Sequence, residues 1–426
     1  MKIEDIYTYY LQCSAVCTDT RSIEKDCLFF ALKGDNFNGN TFAQEALTKG
    51  AKLSIVDEKA HEGDNCILVE NVLETLQELA TYHRNQLLIP IIALTGSNGK
   101  TTTKELINAV LSKKFKTTAT VGNLNNHIGV PLTLLRMTDK TDIAIIEMGA
   151  NHTKEIEQLC NIAQPDYGLI TNFGKAHIEG FGSVEGVIRA KSELYEYLKS
   201  HQKTIFVNEN DEIQVKQTLN YDNLYHFGLI TSVDTILELV SSQPYVVLKY
   251  NDITIESKLT GMYNYNNIAV AIGVGSYFKV DPDDIVEAIK DYTPTNNRSQ
   301  LMEKGDNTII MDAYNANPTS MMAALENFKQ LDRNNKMLFL GDMFELGSSA
   351  EMEHQHIVDY LEEILIGDTF LVGKNFFKTK SNGANIQKFE TFDDLKVQLL
   401  KNPPKQKFIL IKGSRGMALE RILELL

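Results

Sequence analysis

Residues 90–104, PIIALTGSNGKTTTK, constrain this chain more than any other stretch. A short apolar run gives way to Gly96-Ser97-Asn98-Gly99 and then to Lys100-Thr101-Thr102-Thr103. A buried strand that ends in glycines and runs straight into a helix start gathers backbone N–H groups at the positive end of the helix dipole, which makes a cradle for phosphate. Lys100 supplies a point charge for terminal phosphates, and Thr101 a hydroxyl for a magnesium ion. Position 94 is leucine where the usual pattern has one more glycine, so only a Gly-x-x-Gly-Lys-Thr core is present. A turn that caps a helix and carries a surface lysine is the plainer alternative.

At 426 residues the chain is too long for one core, and about 150 residues per domain predicts roughly three domains. No run of about 18 apolar residues occurs, and no basic segment leads into an apolar N-terminus. Neither a membrane span nor a signal peptide is therefore expected, and the expected location is the cytoplasm. The formal net charge of −14 argues against a nucleic-acid surface, so an anionic small ligand needs local cationic pockets. Five cysteines, an odd set without a Cys-x-x-Cys pair, predict reduced thiols rather than disulfides or a zinc site.

Residues 1 to about 85 read as a small α/β unit: strands at 27–32, 51–56 and 66–69, a Gly/Asn-rich loop at 33–40, and helices at 41–49 and 72–87. From residue 90 strands and helices alternate, which favours a parallel sheet with helical crossovers. The predicted strands are 91–95, 142–148, 167–171 and 204–208, with helices at 100–113 and 184–198. A hairpin at 245–257 centres on Asn251-Asp252, and helices follow at 264–278 and 281–290, the second with Asp281 as N-cap and Pro282 at its first position. The polar, proline-containing segment 293–297 marks the next boundary. Beyond it, strands at 308–311, 337–340, 369–372 and 408–411, helices near 320–331, 350–365 and 392–400, and a last helix from about Arg415 predict a doubly wound fold.

Ligands of open α/β sheets gather at the carboxyl ends of the strands. Glu147, at the end of DIAIIEM, is thus well placed to hold magnesium beside the cradle, with an ordinary strand-end acid as the alternative. His177 follows the third strand on the same sheet edge; a structural hydrogen-bonder is the default reading of a lone histidine, and this position favours function. Lys191 reads by default as a solvated lysine on a helix face. Three polar clusters open helices: 261–267 with Asn264 and Asn267 on one face, 311–318 with Asp312, and 412–415, where Arg415 is a bidentate candidate for carboxylate or phosphate. Capping chemistry is the alternative for each.

Assembled, these pieces resemble the Mur ligases, ATP-dependent enzymes that extend the peptide of the bacterial cell-wall precursor. Family-wide marks are TGSNGKTTTKE at 95–105, Glu147, His177 and Asn267. GNLNNHIGVPLTLL at 122–135, EMGANHTKEI at 147–156, AHIEGFGSVEGVIRAKSE at 176–193, DAYNANPTSM at 312–321, GDMFELG at 341–347 and KGSRGM at 412–417 point to the branch that adds D-Ala-D-Ala to UDP-MurNAc-tripeptide. The resemblance implies an α/β, three-domain Mur ligase architecture: a UDP-sugar domain at 1–86, a P-loop central parallel sheet binding ATP at 87–296, and a Rossmann-like C-terminal domain at 297–426. It implies that Thr95, Gly96, Ser97, Asn98, Gly99, Lys100, Thr101 and Thr102 cradle the phosphates, with Asn267 near adenine, Asp312 near ribose and Arg298 near the phosphates after closure. Thr101 and Glu147 would hold one magnesium, and His177 a second together with Lys191 in carbamylated form, so that Lys100, Glu147, His177 and Lys191 form the catalytic set. Substrate contacts implied are Thr20, Arg21 and Gly34 for the UDP-sugar, and Asn123, Asn125, Asn126, Asn315, Asn317, Lys412 and Arg415 for the peptide parts. The partners implied are these small molecules, with no nucleic acid and a monomeric chain. Tyr263 stands where the family commonly has histidine. Competing expectations are a sister ligase adding one amino acid, a folate polyglutamylating relative, and an ATP-binding module without turnover; the Asn-Ala-Asn cluster after Asp312 argues against the first two, and the intact catalytic set against the third.

Overall fold

In Ile91–Thr95 (IIALT) even the closing residue is buried, and a strand with no polar face is stable only where both faces are covered. It lies inside a nine-stranded sheet of order Ile253–Glu256, Val247–Tyr250, Thr235–Ser241, Leu224–Gly228, Thr204–Asn208, Tyr167–Ile170, Ile91–Thr95, Ile143–Glu147 and Thr117–Ala119. Each of the first three strands is antiparallel to its neighbour among them, and every other pairing is parallel. Ile92, Leu94, Ile143 and Ile145 turn to one side, against the helices Lys100–Leu111 and Met262–Tyr277, while Ile91, Ala93, Ala144 and Ile146 turn to the other. The computed structural model describes residues 1–229, 232–295 and 297–426, so Asn296, where the sequence boundary falls, lies outside the described residues.

The four strands expected in this region are present to within a residue at each end. Thr117–Ala119, Leu224–Gly228 and Thr235–Ser241 were not expected: the first is short and partly exposed, and the last alternates between inward and outward residues along a sheet extension. The hairpin is as expected, with Asn251 and Asp252 both at positive φ (48° and 64°), the pairing that matches strand twist in a two-residue turn. Asp281 accepts from the Asp283 N–H and caps Pro282–Asp291.

The first unit carries a four-stranded parallel sheet ordered Val16–Cys17, Leu28–Phe30, Leu53–Val56, Cys66–Leu68, preceded by an unforeseen helix, Ile3–Tyr10. The loop expected at 33–40 contains a small hairpin, Lys33–Gly34 with Phe37–Asn38. One face of this sheet keeps a small cluster of its own, with Cys27, Phe29, Ala43 and Val56, while the other face shares a core with the central unit. Val72, Leu76, Leu79 and Ala80 of helix Val72–Leu87 share one cluster with Leu28, Phe30 and Ile55 on one side and with Ile91, Ala93, Val130 and Leu159 on the other. Polar ties follow the same seam: Tyr10 donates to the Leu135 carbonyl (2.8 Å), Gln77 to His127 (2.9 Å), and Arg84 pairs with Asp166 (2.9 Å).

The last sheet runs Gln300–Lys304, Asn307–Asp312, Phe408–Lys412, Lys336–Gly341, Asp368–Val372, Ile386–Phe389, parallel except for the first pair. Ile310, Leu338, Leu340 and Leu410 face one layer of helices, and Ile309, Phe339, Ile409 and Ile411 the other, as a doubly wound fold requires. The closing helix expected from Arg415 is replaced by two 3₁₀ segments, Arg415–Met417 and Leu419–Leu425, because Ala418 between them sits at φ 48° and interrupts the helical path. All five cysteines are free, and among the described residues no helix is long and apolar enough to cross a membrane.

Because Leu76 is fully buried at the seam, Leu76→Ala is expected to lower stability by about 2–5 kcal/mol. Urea denaturation followed by fluorescence and by far-UV dichroism is expected to report one coincident, shifted transition for the first and central units.

Candidate active site

The loop between Ile91–Thr95 and Lys100–Leu111 is shaped by its neighbours. Gly96 sits at φ 143°, where a side chain would fall 2.1 Å from the Thr171 hydroxyl; Gly99 sits at φ 79°, where one would fall 2.5 Å from Asn267 Oδ1. The segment after strand Tyr167–Ile170 holds the loop from one side: the Ser97 N–H donates to the Asn172 carbonyl (3.1 Å), the Asn98 N–H to Asn172 Oδ1 (3.0 Å), and Thr171 Oγ1 and Asn172 Nδ2 donate to the Asn98 carbonyl (2.6 and 2.9 Å). Ser97 Oγ donates to Gly174 (3.0 Å). From the other side comes an amide relay, in which Thr103 Oγ1 donates to Asn267 Oδ1 (3.0 Å), Asn267 Nδ2 to Asn264 Oδ1 (2.9 Å), and Asn264 Nδ2 to the Thr260 carbonyl (2.8 Å). Asn267 is therefore packed under Gly99, with both of its amide atoms engaged inside the protein. Lys100 folds back, Nζ donating to the Gly96 carbonyl (2.7 Å); burial lowers its pKa, and Arg298 adds to this while Glu147 opposes it. Thr95, Thr101 and Thr102 are buried along the strand end and the first helical turn.

Glu147 ends its strand beside this loop. Its N–H donates to Thr120 Oγ1 (3.0 Å), its Oε1 accepts from Asn125 Nδ2 (2.7 Å), and its Oε2 is buried with no hydrogen-bond partner. An orphaned carboxylate oxygen is costly unless a cation meets it. Lys191, on helix Val184–Ser200, is wholly buried rather than solvated: Nζ donates to the Ala150 carbonyl (3.2 Å) and lies 5.0 Å from the centre of the Phe181 ring. Burial, reinforced by the charge of Lys100, pulls its pKa from the ordinary lysine range down to about 7. His177 adopts φ 53°, and its Nδ1 lies 2.5 Å from Glu345 Oε2 of the last domain, at ion-pair distance without hydrogen-bond alignment. The imidazole holds the Glu345 carboxyl below the usual range. Glu345 went unassigned in the sequence reading; its signal is the acid inside GDMFELG.

The last domain meets the loop through its strand ends. Asp312 accepts from the Ser299 N–H (3.1 Å) and from Lys412 Nζ (2.6 Å), so both of its oxygens are occupied. Arg298 lies over the Tyr314 ring, guanidinium carbon to ring centre 3.6 Å, with Arg415 5.6 Å from the same ring. Tyr263, on the central domain, shares a 2.9 Å hydrogen bond with Ser299 Oγ, which gives this departure from the family pattern a place at the hinge. Asn317 caps helix Pro318–Gln330 and donates from Nδ2 to Asn98 Oδ1 (2.7 Å); the neighbouring Asn315 is exposed. Asn125 thus joins the central cluster, whereas Asn126 caps the turn at 128–129 and Asn123 is exposed. Thr20, Arg21 and Gly34 stay apart: Arg21 is exposed and bound to Asp19 (2.6 Å), the Thr20 carbonyl accepts from Lys49, and Gly34 lies in the small hairpin.

A phosphate loop beside a buried acid with one unpaired oxygen, roofed by a separate doubly wound domain, is the arrangement of a nucleotide-dependent ligase. Three family models match in series: the Mur ligase family catalytic domain at 12–91, the Mur ligase middle domain at 94–275, and the Mur ligase glutamate ligase domain at 297–415. The chain belongs to the Mur ligase family. A Bacillus subtilis (strain 168) protein named UDP-N-acetylmuramoyl-tripeptide--D-alanyl-D-alanine ligase is 36% identical over 423 residues, covering 96% of this chain and 92% of its own. MurF from Acinetobacter baumannii superposes with a TM-score of 0.86 at 28% identity, over 99% of this chain and 98% of that one. MurF from Thermotoga maritima in complex with ADP gives 0.84 at 26%, over 98% and 97%.

Gly99→Ala introduces both a left-handed alanine and a contact with Asn267 Oδ1 at 2.5 Å. The expected result is a loss of about 1–2 kcal/mol in stability together with a collapse of nucleotide affinity, read by thermal unfolding and by titration with ADP.

Proposed function

We propose that this chain joins D-alanyl-D-alanine to UDP-MurNAc-tripeptide at the expense of ATP, releasing ADP and phosphate. The observation that carries the reading is Glu147: a buried carboxylate oxygen without a partner, at the end of a strand adjoining the phosphate loop, in a chain of this family. A carboxylate is a poor electrophile, so the tripeptide carboxylate first takes the γ-phosphoryl group of ATP to give an acyl phosphate, which the dipeptide amine then attacks with loss of phosphate. Catalysis of the first step is positioning and charge neutralisation.

In this reading Gly96 to Thr102, with Thr95, wrap the phosphates, and Lys100 exchanges the Gly96 carbonyl for the terminal phosphate. Magnesium, when bound, neutralises phosphate charge, and the residues present suit it: Glu147 Oε2 and the Thr101 hydroxyl are hard oxygen donors. As an ammonium Lys191 repels such an ion. With a pKa brought to about 7 its amine is available at neutral pH, and addition to carbon dioxide with release of a proton gives a carbamate, an oxygen ligand that His177 would complement at a second ion. Asn267 acts through the loop it supports, Asp312 toward ribose, and Arg298 toward the phosphates. Asn123, Asn125, Asn126, Asn315, Lys412 and Arg415 are assigned to the peptide substrates, and Thr20, Arg21 and Gly34 to the UDP-sugar; Asn317, bonded to Asn98 and Ser320, is left out of the substrate contacts. The corresponding domains are 1–86, 87–296 and 297–426, the chain acts as a monomer, and its place is the cytoplasm.

A coupled phosphate-release assay tests the reaction: release is expected only with UDP-MurNAc-tripeptide, D-Ala-D-Ala, ATP and magnesium together, and turnover with free amino acids in place of the dipeptide sinks the assignment. Lys191→Ala is expected to abolish turnover, with partial recovery on addition of a small carboxylate such as acetate or formate; full activity in the variant removes Lys191 from the site.

A further inference from the structure

We propose that Asn317 is a positioning residue for the phosphate loop, transmitting the docking of the last domain to Asn98, rather than a contact for the amine substrate. Both ends of its amide are committed. Oδ1 accepts from the Ser320 N–H (2.9 Å) and fixes the side chain to the start of helix Pro318–Gln330, while Nδ2 donates across the domain interface to Asn98 Oδ1 (2.7 Å). Asn317 is only 8% exposed.

Asn98 is the residue of the loop most open to such control. Its N–H and carbonyl are tied to Asn172 and Thr171, so its side chain is what reports the loop's shape to the other domain. The surroundings reinforce the contact. Gly174 packs closely between Asn98 and Thr319: a Cβ there would lie 3.0 Å from Asn98 Nδ2 and 3.2 Å from Thr319 Oγ1, so a larger residue would press on the contact. The next residue, Lys175, donates its N–H to Thr319 Oγ1 (2.9 Å) and its ammonium to Glu353 Oε1 (2.8 Å). The Glu353 side chain is 5% exposed, and its cation comes from the central domain, so the docked interface is what keeps that buried charge paired. Loop, strand end and helix start therefore close on one another as a clasp. Separating the domains releases the Asn98 side chain and leaves the loop anchored only from within the central domain.

The experiment uses the full chain and reads nucleotide affinity first. Asn317→Ser keeps a capping oxygen but is too short to reach Asn98. The expected result is an unfolding midpoint near that of the unaltered protein, a Kd for ADP about five- to tenfold higher, as the loss of one hydrogen bond predicts, and an unchanged KM for D-Ala-D-Ala. Asn98→Ala is expected to weaken ADP binding similarly, with the double variant no worse than either single one. Glu353→Gln, which touches neither loop nor cap, is expected to shift affinity in the same direction and serves if Asn317→Ser does not fold. Unchanged ADP affinity in these variants, additive losses, or a rise in the KM for D-Ala-D-Ala with ADP binding intact would each overturn the proposal. The proposal rests on the ligase reading only for the dipeptide arm. A chain that binds ADP but joins no dipeptide would refute that reading, while the ADP cycle would still decide the clasp.

Discussion

A phosphate loop must keep backbone donors available for an anion and yet hold a fixed shape without one. Here the shape comes from hydrogen bonds made largely by carbonyls and side chains of the loop, with the Ser97 and Asn98 N–H groups also held by Asn172. The Asn98 carbonyl, the Ser97 hydroxyl and the Asn98 side chain are all tied to neighbouring segments, and Gly96 and Gly99 press against Thr171 and Asn267 so closely that no Cβ fits. Preorganisation of this kind removes reorganisation from the moment of binding. It also explains the concentration of asparagine around the loop, since one amide can accept from one element and donate to another.

The electrostatics follow from the same burial. Lys100, Glu147 and Lys191 are gathered at one end of the sheet in a setting poor in water, where an ammonium is disfavoured and a lone carboxylate oxygen is left wanting a cation. The protein meets these demands from within: a loop carbonyl for Lys100, the Ala150 carbonyl for Lys191, and the Glu345 carboxylate for His177. Each of these partners occupies a polar group that the proposed chemistry uses elsewhere.

Much of this was legible in the chain itself, for local reasons. Alternation and glycine punctuation marked the central strands, Asn251-Asp252 the hairpin, and Asp281-Pro282 a helix start, because each of these depends on residues a few positions apart. The unit of residues 1–85 was legible as strands and helices but not as part of a shared core, since helix Val72–Leu87 is buried on two sides by segments far along the chain. The end of the chain misled because its composition suits a helix, while the single left-handed residue Ala418 breaks the path. At the site, the loop and Glu147 could be read from a strand's end, but Glu345 beside His177 and Asn317 beside Asn98 are pairings between domains that no local pattern encodes. Lys191 reversed its default reading because Val187, Ala190 and Leu194 on the same helix carry it into the interior.

The continuous core beneath helix Val72–Leu87 has a thermodynamic consequence. Two segments that unfold together share one equilibrium, so a ligand held by either raises the population of the other's folded state by mass action, without touching it. Occupancy of the first unit would then make the central sheet more resistant to unfolding and the phosphate loop slower to exchange its amide hydrogens, before any nucleotide arrives. The third domain has hydrophobic clusters of its own and meets the central unit through polar contacts such as Asn317 to Asn98 and Lys175 to Glu353, so its coupling runs through docking rather than through a shared core.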